Sequence, residues 1–389
     1  MHFETLAIRL QTPTSEQKEH STPMFPTSSF MFDDAEQMRA VFADEQPGNI
    51  YSRFTNPNCR ELEEKMAALE QTEDALATAS GMSAIFASFM AFLRSGDHLI
   101  CSRAVFGSTN TVLTQYLPNW GIDVTFVDPV DEGTWHHAVR PTSKMFFLET
   151  PSNPGLDIID LSAAKRFCEK NNLLLNVDNC FATPYLQQPS LYGADLITHS
   201  ATKYIDGQGR VLGGIVAGNT KLISEVKKFC RSTGPALSPF NAWLLSKSLE
   251  TLAVRMDRHC DNAEKLSAFL SEHTAVGKVT YPHAPDHPSY AIAKRQMKRG
   301  GGLVTFEING GIDQGKKFLD ALQMLSLTAN LGDTRSIATH PASTTHAKLT
   351  PQARLESGIS DQMIRISAGL EHIDDIIADI DQALFQSQS

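Results

Sequence analysis

The sequence has no paired cysteines. Its six, Cys59, Cys101, Cys168, Cys180, Cys230 and Cys260, show no CxxC spacing, which argues against a zinc knuckle or a disulfide frame and predicts buried thiols in a reducing compartment. No apolar run approaches the roughly 18 residues of a membrane helix. Residues Met1 to Gln11 also lack the basic-then-apolar order of a signal peptide. A cytoplasmic location without membrane contact is therefore expected. Positive charge is short as well: 34 Lys and Arg face 44 Asp and Glu, a net charge of -10, with no local basic cluster, so nucleic acid is not an expected partner. The stretch Gly207-Gln-Gly209-Arg-Val-Leu212 breaks the GxGxxG fingerprint at its third glycine and precedes a strand pattern, which disfavours a dinucleotide fold. His340 and His346 stand six apart around Pro341, poor spacing for a metal pair, and no metal is expected. Internal repeats and low-complexity segments are absent.

What is present is an ordinary globular balance, 41% hydrophobic and 20% charged over 389 residues, enough for two domains with good cores. Residues 1–55, punctuated by Pro23, Pro26 and Pro47, predict an extended arm with one helix near Asp34 to Phe42. Such an arm must lie on the body or on a neighbouring subunit, or else fray. Asn58 can cap a helix carrying Leu62, Met66 and Leu69 on one face, with Glu61, Glu63 and Glu64 in its first turn. Short apolar runs then alternate with helical patterns: His98 to Cys101, Val124 to Val127, Lys144 to Glu149, Leu173 to Val177, Asp195 to Thr198 and Val211 to Ala217 are candidate strands, with Met82 to Leu93 and Ser162 to Lys170 among the helices. This alternation predicts an α/β fold, a doubly wound, mostly parallel sheet whose ligand site lies beyond the carboxyl ends of the strands. Ser238-Pro239 opens one long helix with Leu245, Leu249, Leu252 and Met256 on a face. The remainder mixes strands (Gly302 to Ile308, Met363 to Ala368) with a terminal helix bearing Ile373, Ile376, Ile377, Ile380 and Leu384. The expected division is an arm at 1–55, a large domain at 56–250 and a small α+β domain at 251–389.

The polar residues at the predicted strand ends are the candidates for chemistry. Asp195-Leu-Ile-Thr198 empties into Ser200-Ala-Thr-Lys203, where two hydroxyls could bind a phosphate while the amine forms a Schiff base with an aldehyde; the plainer alternative is a solvated lysine. Asp178 follows the run Leu173 to Val177 and could hold a pyridinium nitrogen protonated, or could cap a turn. Ala79-Ser-Gly-Met-Ser83 could cradle a phosphate on the N–H groups of Gly81 and Met82, or could simply start a helix. Phe106 could lie on an aromatic cofactor or pack in the core. Asn153 could bind a ring hydroxyl or belong to a proline-bounded turn, and Arg365, in an alternating strand, is either a solvated edge residue or a carboxylate clamp.

Taken together, Ser200-Ala-Thr-Lys203-Tyr, the Asp178 strand, Tyr51-Ser-Arg53, Ser80-Gly-Met82, Glu149-Thr-Pro-Ser-Asn-Pro154 and His340-Pro-Ala-Ser-Thr-Thr-His346 resemble the Cys/Met-metabolism pyridoxal-phosphate enzymes over essentially the whole chain. The resemblance implies an aspartate-aminotransferase-like fold, type I among pyridoxal-phosphate enzymes, and a homotetramer built from two active dimers. It also implies that Lys203 carries the cofactor and shuttles protons, that Asp178 pairs with the ring nitrogen, and that Ser200, Thr202, Gly81 and Met82 hold the phosphate. Tyr51 and Arg53 would reach the phosphate from the neighbouring subunit, Tyr51 doubling as a proton acceptor. Phe106 stands where many members have a stacking tyrosine, so it could stack without serving as an acid. Arg365, Asn153 and Asn330 would bind the amino-acid substrate. Within that family, Ser232 to Trp243, Asp206 to Arg210 and Asn330 to Arg335 most resemble members of one activity, and the resemblance implies a γ-replacement in methionine biosynthesis that turns O-succinylhomoserine and sulfide into homocysteine and succinate. Neighbouring activities are cystathionine formation, use of the O-acetyl ester, and γ-elimination from methionine; members with the last have a cysteine in the loop where this sequence has Val105, Gly107 and Ser108. The alternative outside enzymology is a phosphate-binding α/β regulator.

Overall fold

A computed structural model describes residues 1–348, 350–356 and 358–388. Its larger sheet contains β1 (Asp74–Thr78), β2 (His98–Ser102), β3 (Asp123–Val127), β4 (Ser143–Glu149), β5 (Leu174–Asp178), β6 (Leu196–Ser200) and β7 (Gly214–Gly218). Their spatial order is β1-β7-β6-β5-β4-β2-β3, parallel except for the reversed β7. Both faces are covered, which is why the central strands are apolar without a break. In β4, Met145 and Phe147 enter a cluster with Ala84 and Phe89, whereas Phe146 and Leu148 pack on the other face with Trp135 and Phe167.

β1 was not among the candidate strands, because Asp74-Ala-Leu-Ala-Thr78 is rich in small residues and carries little periodicity. The strand expected from Val211 begins only at Gly214. The preceding stretch is looped, with Gly207 and Gly209 at φ of +69° and +66°, outside the extended range. The first long helix spans Pro57–Glu70 and is capped by Asn56, not Asn58: Asn56 Oδ1 accepts from the Asn58 N–H at 2.9 Å and Pro57 occupies the first helical position. Asn58 holds the arm instead, accepting from the Phe25 N–H and donating to the Pro23 carbonyl.

The arm lies on the body, and it opens with a helix, Phe3–Arg9, that the extended expectation omitted. Phe3 meets Tyr185 edge to face at 5.2 Å, Thr12 N–H donates to Glu61, and Trp243 Nε1 donates to the Thr22 carbonyl at 2.8 Å. The expected single helix after Ser238 is two, Pro239–Leu249 and Leu252–Glu272. The break at Glu250 and Thr251 releases the Ser248 carbonyl to the Arg255 guanidinium, which also binds the carbonyls of Tyr204 and Ile205 next to Lys203.

The second helix of that pair connects the cores: Met256 and Cys260 belong to the one under the large sheet, Leu266 and Leu270 to the one beyond it. There a smaller sheet is built from β8 (Val276–Thr280), β9 (Leu303–Ile308), β10 (Ser326–Leu327), β11 (Ile337–Thr339) and β12 (Met363–Ser367), ordered β10-β11-β12-β9-β8. The terminal helix Ile373–Ser387 buries Ile373, Ile376, Ile380 and Leu384 against it, as its periodicity predicts. All six cysteines are free and buried, and no helix among the described residues is long and apolar enough to cross a membrane.

Candidate active site

The ends of β4, β5 and β6 lie side by side: Glu149 pairs with Asp178, and Asp178 with Thr198, two residues before Ser200. β1 brings in the other half. Thr78 and Ser200 both pair with Gly214, so the helix Gly81–Met90 starts against the end of β6. A Cβ on Gly81 would fall 2.5 Å from Ser200 Cβ, so glycine is what lets the helix start approach the hydroxyl. Ser80 Oγ caps this helix by accepting from the Ser83 N–H, while the N–H groups of Gly81 and Met82 have no acceptor among the described residues. They are open to an anion.

Lys203 is not a solvated surface lysine. It sits in the turn after β6, half-buried, its amine donating to Asn330 Oδ1 at 2.8 Å. Burial pushes the amine down from its ordinary value, Cys180 opposes that, and the Arg365 charge adds to it. Asp178 is buried with Oδ1 accepting from the Cys180 N–H at 3.0 Å, so the turn-cap reading accounts for one oxygen. Oδ2 has no hydrogen bond among the described residues. Burial raises this carboxyl to about 6, while the neighbouring His199 ring and the Cys180 N–H oppose the rise. Thr202 Oγ1 accepts from the Gly213 N–H at 3.3 Å, and Cys180 Sγ lies against the Ser200 carbonyl.

The small sheet supplies the opposite wall. Arg365 lies on β12, between β11 and β9, and is buried, so it is not a solvated edge residue. Its Nη1 donates to Asn153 Oδ1 at 2.8 Å and its Nη2 to the Asn330 carbonyl at 3.2 Å, while Nε is buried without a partner. Burial lowers this guanidinium to about 10. Phe106 is 43% exposed, so it is not packed in the core, and its N–H donates to Glu149 Oε2 at 2.9 Å.

The loop Asp206 to Arg210, in which Gln208 to Arg210 have no role assigned from the sequence beyond the family resemblance, braces the wall. The Gly207 carbonyl accepts from the Thr334 N–H at 2.9 Å and the Gln208 carbonyl from Arg335, which is itself paired with Asp333. Arg210 folds back on Asp206. This loop thus grips the segment carrying Asn330. Tyr51 and Arg53 are not brought to Lys203 in their own chain: Arg53 donates to the Arg231 carbonyl and stacks on Phe54 at 4.5 Å, beside a separate cleft of about 660 Å³. No cluster of three or more metal-ligating side chains occurs among the described residues. Glu70, Glu149 and His199, all buried around the strand ends, were not singled out from the sequence.

An open anion cradle at Gly81 and Met82, an unengaged Asp178 oxygen and a lysine amine with burial against its charge are what a pyridine ring bearing a phosphate and an aldehyde needs, and the residues fit that group. Fold and site define a pyridoxal-phosphate enzyme of aspartate-aminotransferase-like architecture. Residues 4–385 match the family described as Cys/Met metabolism PLP-dependent enzyme, and the chain belongs to it. It is 47% identical over 382 residues to O-succinylhomoserine sulfhydrylase of Pseudomonas aeruginosa (98% of this chain, 95% of the relative) and 42% identical over 383 residues to L-methionine gamma-lyase of Fusobacterium nucleatum subsp. polymorphum (98% and 97%). Among solved structures it is similar to a putative O-acetylhomoserine (thiol)-lyase of Campylobacter jejuni bearing a pyridoxyl-lysine phosphate, at TM-score 0.95 and 32% identity over 99% of this chain and 100% of that one.

Proposed function

We propose that the enzyme catalyses γ-replacement on O-succinylhomoserine, with sulfide as the nucleophile, giving homocysteine and succinate. The observation that carries the reading is the line of contacts Lys203–Asn330–Arg365–Asn153, which sets a buried guanidinium, suited to an α-carboxylate, one residue away from a lysine amine suited to proton transfer. The choice of ester and nucleophile is supported by the 47% identity to an O-succinylhomoserine sulfhydrylase.

In this reading Lys203 holds pyridoxal phosphate, Asp178 its ring nitrogen, Ser200, Thr202 and the Gly81 and Met82 N–H groups its phosphate, and Phe106 its face. When bound, the cofactor supplies an electron sink that acidifies the substrate carbons. The Lys203 amine, pushed down by burial, takes the Cα proton and then one at Cβ, since a substituent on Cγ is too remote for one deprotonation to expel. Succinate departs with the electron pair of its C–O bond, sulfide forms the new C–S bond at Cγ, and Lys203 then returns a proton to Cβ and one to Cα, so that the amine ends as it began. Arg365 and Asn153 keep the substrate carboxylate fixed meanwhile. Phe106 has no hydroxyl and takes no proton. Tyr51 and Arg53 lie away from Lys203 in their own chain, so we assign them to a neighbour's phosphate in a homotetramer, with Tyr51 as a second proton acceptor.

The test is to supply O-succinylhomoserine or O-acetylhomoserine with sulfide or cysteine, and methionine alone. Homocysteine from the succinyl ester and sulfide should form fastest. Faster cystathionine formation, or faster breakdown of methionine, would overturn the assignment.

A further inference from the structure

Glu70 closes the helix Pro57–Glu70, where the negative end of the helix dipole disfavours a carboxylate, and it has no exposed surface. Its Oε2 is buried without a partner. A group this poorly placed for stability is retained for something else. Its Oε1 accepts two hydrogen bonds, from Asn179 Nδ2 at 2.9 Å and from His199 Nε2 at 2.6 Å. Asn179 directly follows Asp178; His199 directly precedes Ser200. The Asn179 amide is itself oriented, donating to the Gln187 carbonyl at 2.8 Å and accepting from Gln187 Nε2 at 3.0 Å, and Gln187 is held in turn by Gln296. β5 and β6 pair at Asp178 and Thr198, with one further backbone bond from the Asn179 N–H to the Thr198 carbonyl. Beyond that point the ladder ends and the strand ends would be free to splay.

We propose that Glu70 is a positioning residue for the cofactor: one carboxylate oxygen ties the residue after Asp178 to the residue before Ser200, and so fixes the separation of the ring-nitrogen carboxylate from the phosphate hydroxyl. Glu70 touches neither ring nor phosphate. It acts through Asn179 and His199, in the way supporting hydrogen bonds orient the ligands of a metal. The inference rests on the assignment of Asp178 and Ser200 to the cofactor.

The experiment titrates the apoprotein with pyridoxal phosphate, reading the visible band and its circular dichroism, for wild type, E70A, E70Q, N179S and D379A. Asp379 accepts three backbone N–H bonds at Gln323, Met324 and Leu325, within the small-sheet core, and serves as a control for lost stability alone. E70A should raise the dissociation constant about tenfold or more, the loss expected for buried hydrogen bonds. E70Q keeps an oxygen for both donors and should stay within about threefold, while D379A should lower the melting temperature without moving the constant. An E70A protein that binds like wild type, or a D379A protein weakened to the same degree, would overturn the proposal. If E70A does not fold, N179S, which removes one of the two bonds, decides it: an unchanged constant and dichroism sink the idea. A wild-type apoprotein that takes up no cofactor would instead refute the underlying site assignment.

Discussion

Glu149 and Asp178 face each other in register at the ends of β4 and β5, two buried carboxyls on neighbouring strands. Both cannot be ionised at little cost. Burial, reinforced by the Asp178 charge, pushes Glu149 well above the usual carboxylate range, whereas Asp178 titrates at about 6. Of the two, Asp178 gives up its proton the more readily.

This assignment separates two isosteric variants. E149Q mimics the neutral acid and keeps an oxygen for the Phe106 N–H, so turnover should stay within about threefold of wild type. D178N removes the carboxylate of the more readily ionised partner and should lower turnover by roughly a hundredfold or more, on the scale of a lost charged partner in a buried site. Steady-state rates at neutral pH check both; a dead E149Q beside an active D178N would overturn this ordering of the two carboxyls.

The same carboxyl leaves a mark on the stability of the apoprotein. Its native value of about 6 lies above the ordinary 3.8, so the native state binds more protons than the unfolded state between those two values. Stability should fall as pH rises through that window and level off above it, by at most about 3 kcal/mol for this one group. Urea melts from pH 4 to 7 should show a shallower slope in D178N, the measurement being made without cofactor.

At Gly81, alanine would place its methyl 2.5 Å from Ser200 Cβ and 2.8 Å from Ser200 Cα. The helix start must then retreat, at a cost of roughly 1–3 kcal/mol for overpacking. G81A should lose cofactor affinity out of proportion to its loss in melting temperature, because the retreat carries the Gly81 and Met82 N–H groups away from the anion.

R365K keeps the charge and loses the planar fork that reaches both Asn153 and the Asn330 carbonyl. The expected effect is a KM for the amino-acid substrate raised by about tenfold or more, from the loss of charge-assisted bonds. The cofactor spectrum should be unchanged. An altered spectrum with a normal KM would place Arg365 on the cofactor instead.

The strand ends were legible because each ends an apolar run on a polar residue: Leu-Leu-Leu-Asn-Val before Asp178, Leu-Ile-Thr before His199 and Ser200. Period and polarity are local quantities, and a sequence carries them openly. β1 escaped notice because small residues weaken its period. The Glu70 tie was illegible for another reason: its partners lie 109 and 129 residues away, and nothing near Glu70 distinguishes it from the neighbouring glutamates. The cap at Asn56 and the break after Leu249 turn on which of two nearby groups captures a backbone N–H or carbonyl, Asn56 rather than Asn58 in one case and Arg255 in the other. Composition does not decide such contests.

Because β7 runs back beside β6, the turn that bears Lys203 is a loop cinched at its neck, where Ser200 pairs with Gly214 and the Ala201 N–H meets the Gly213 carbonyl. In a parallel neighbour the chain would leave the strand end on a long crossover and the lysine would ride on its first residues. Here both exits are stitched into the sheet. The amine can swing on its four methylenes while its Cα stays anchored, so its reach is set by side-chain rotamers alone.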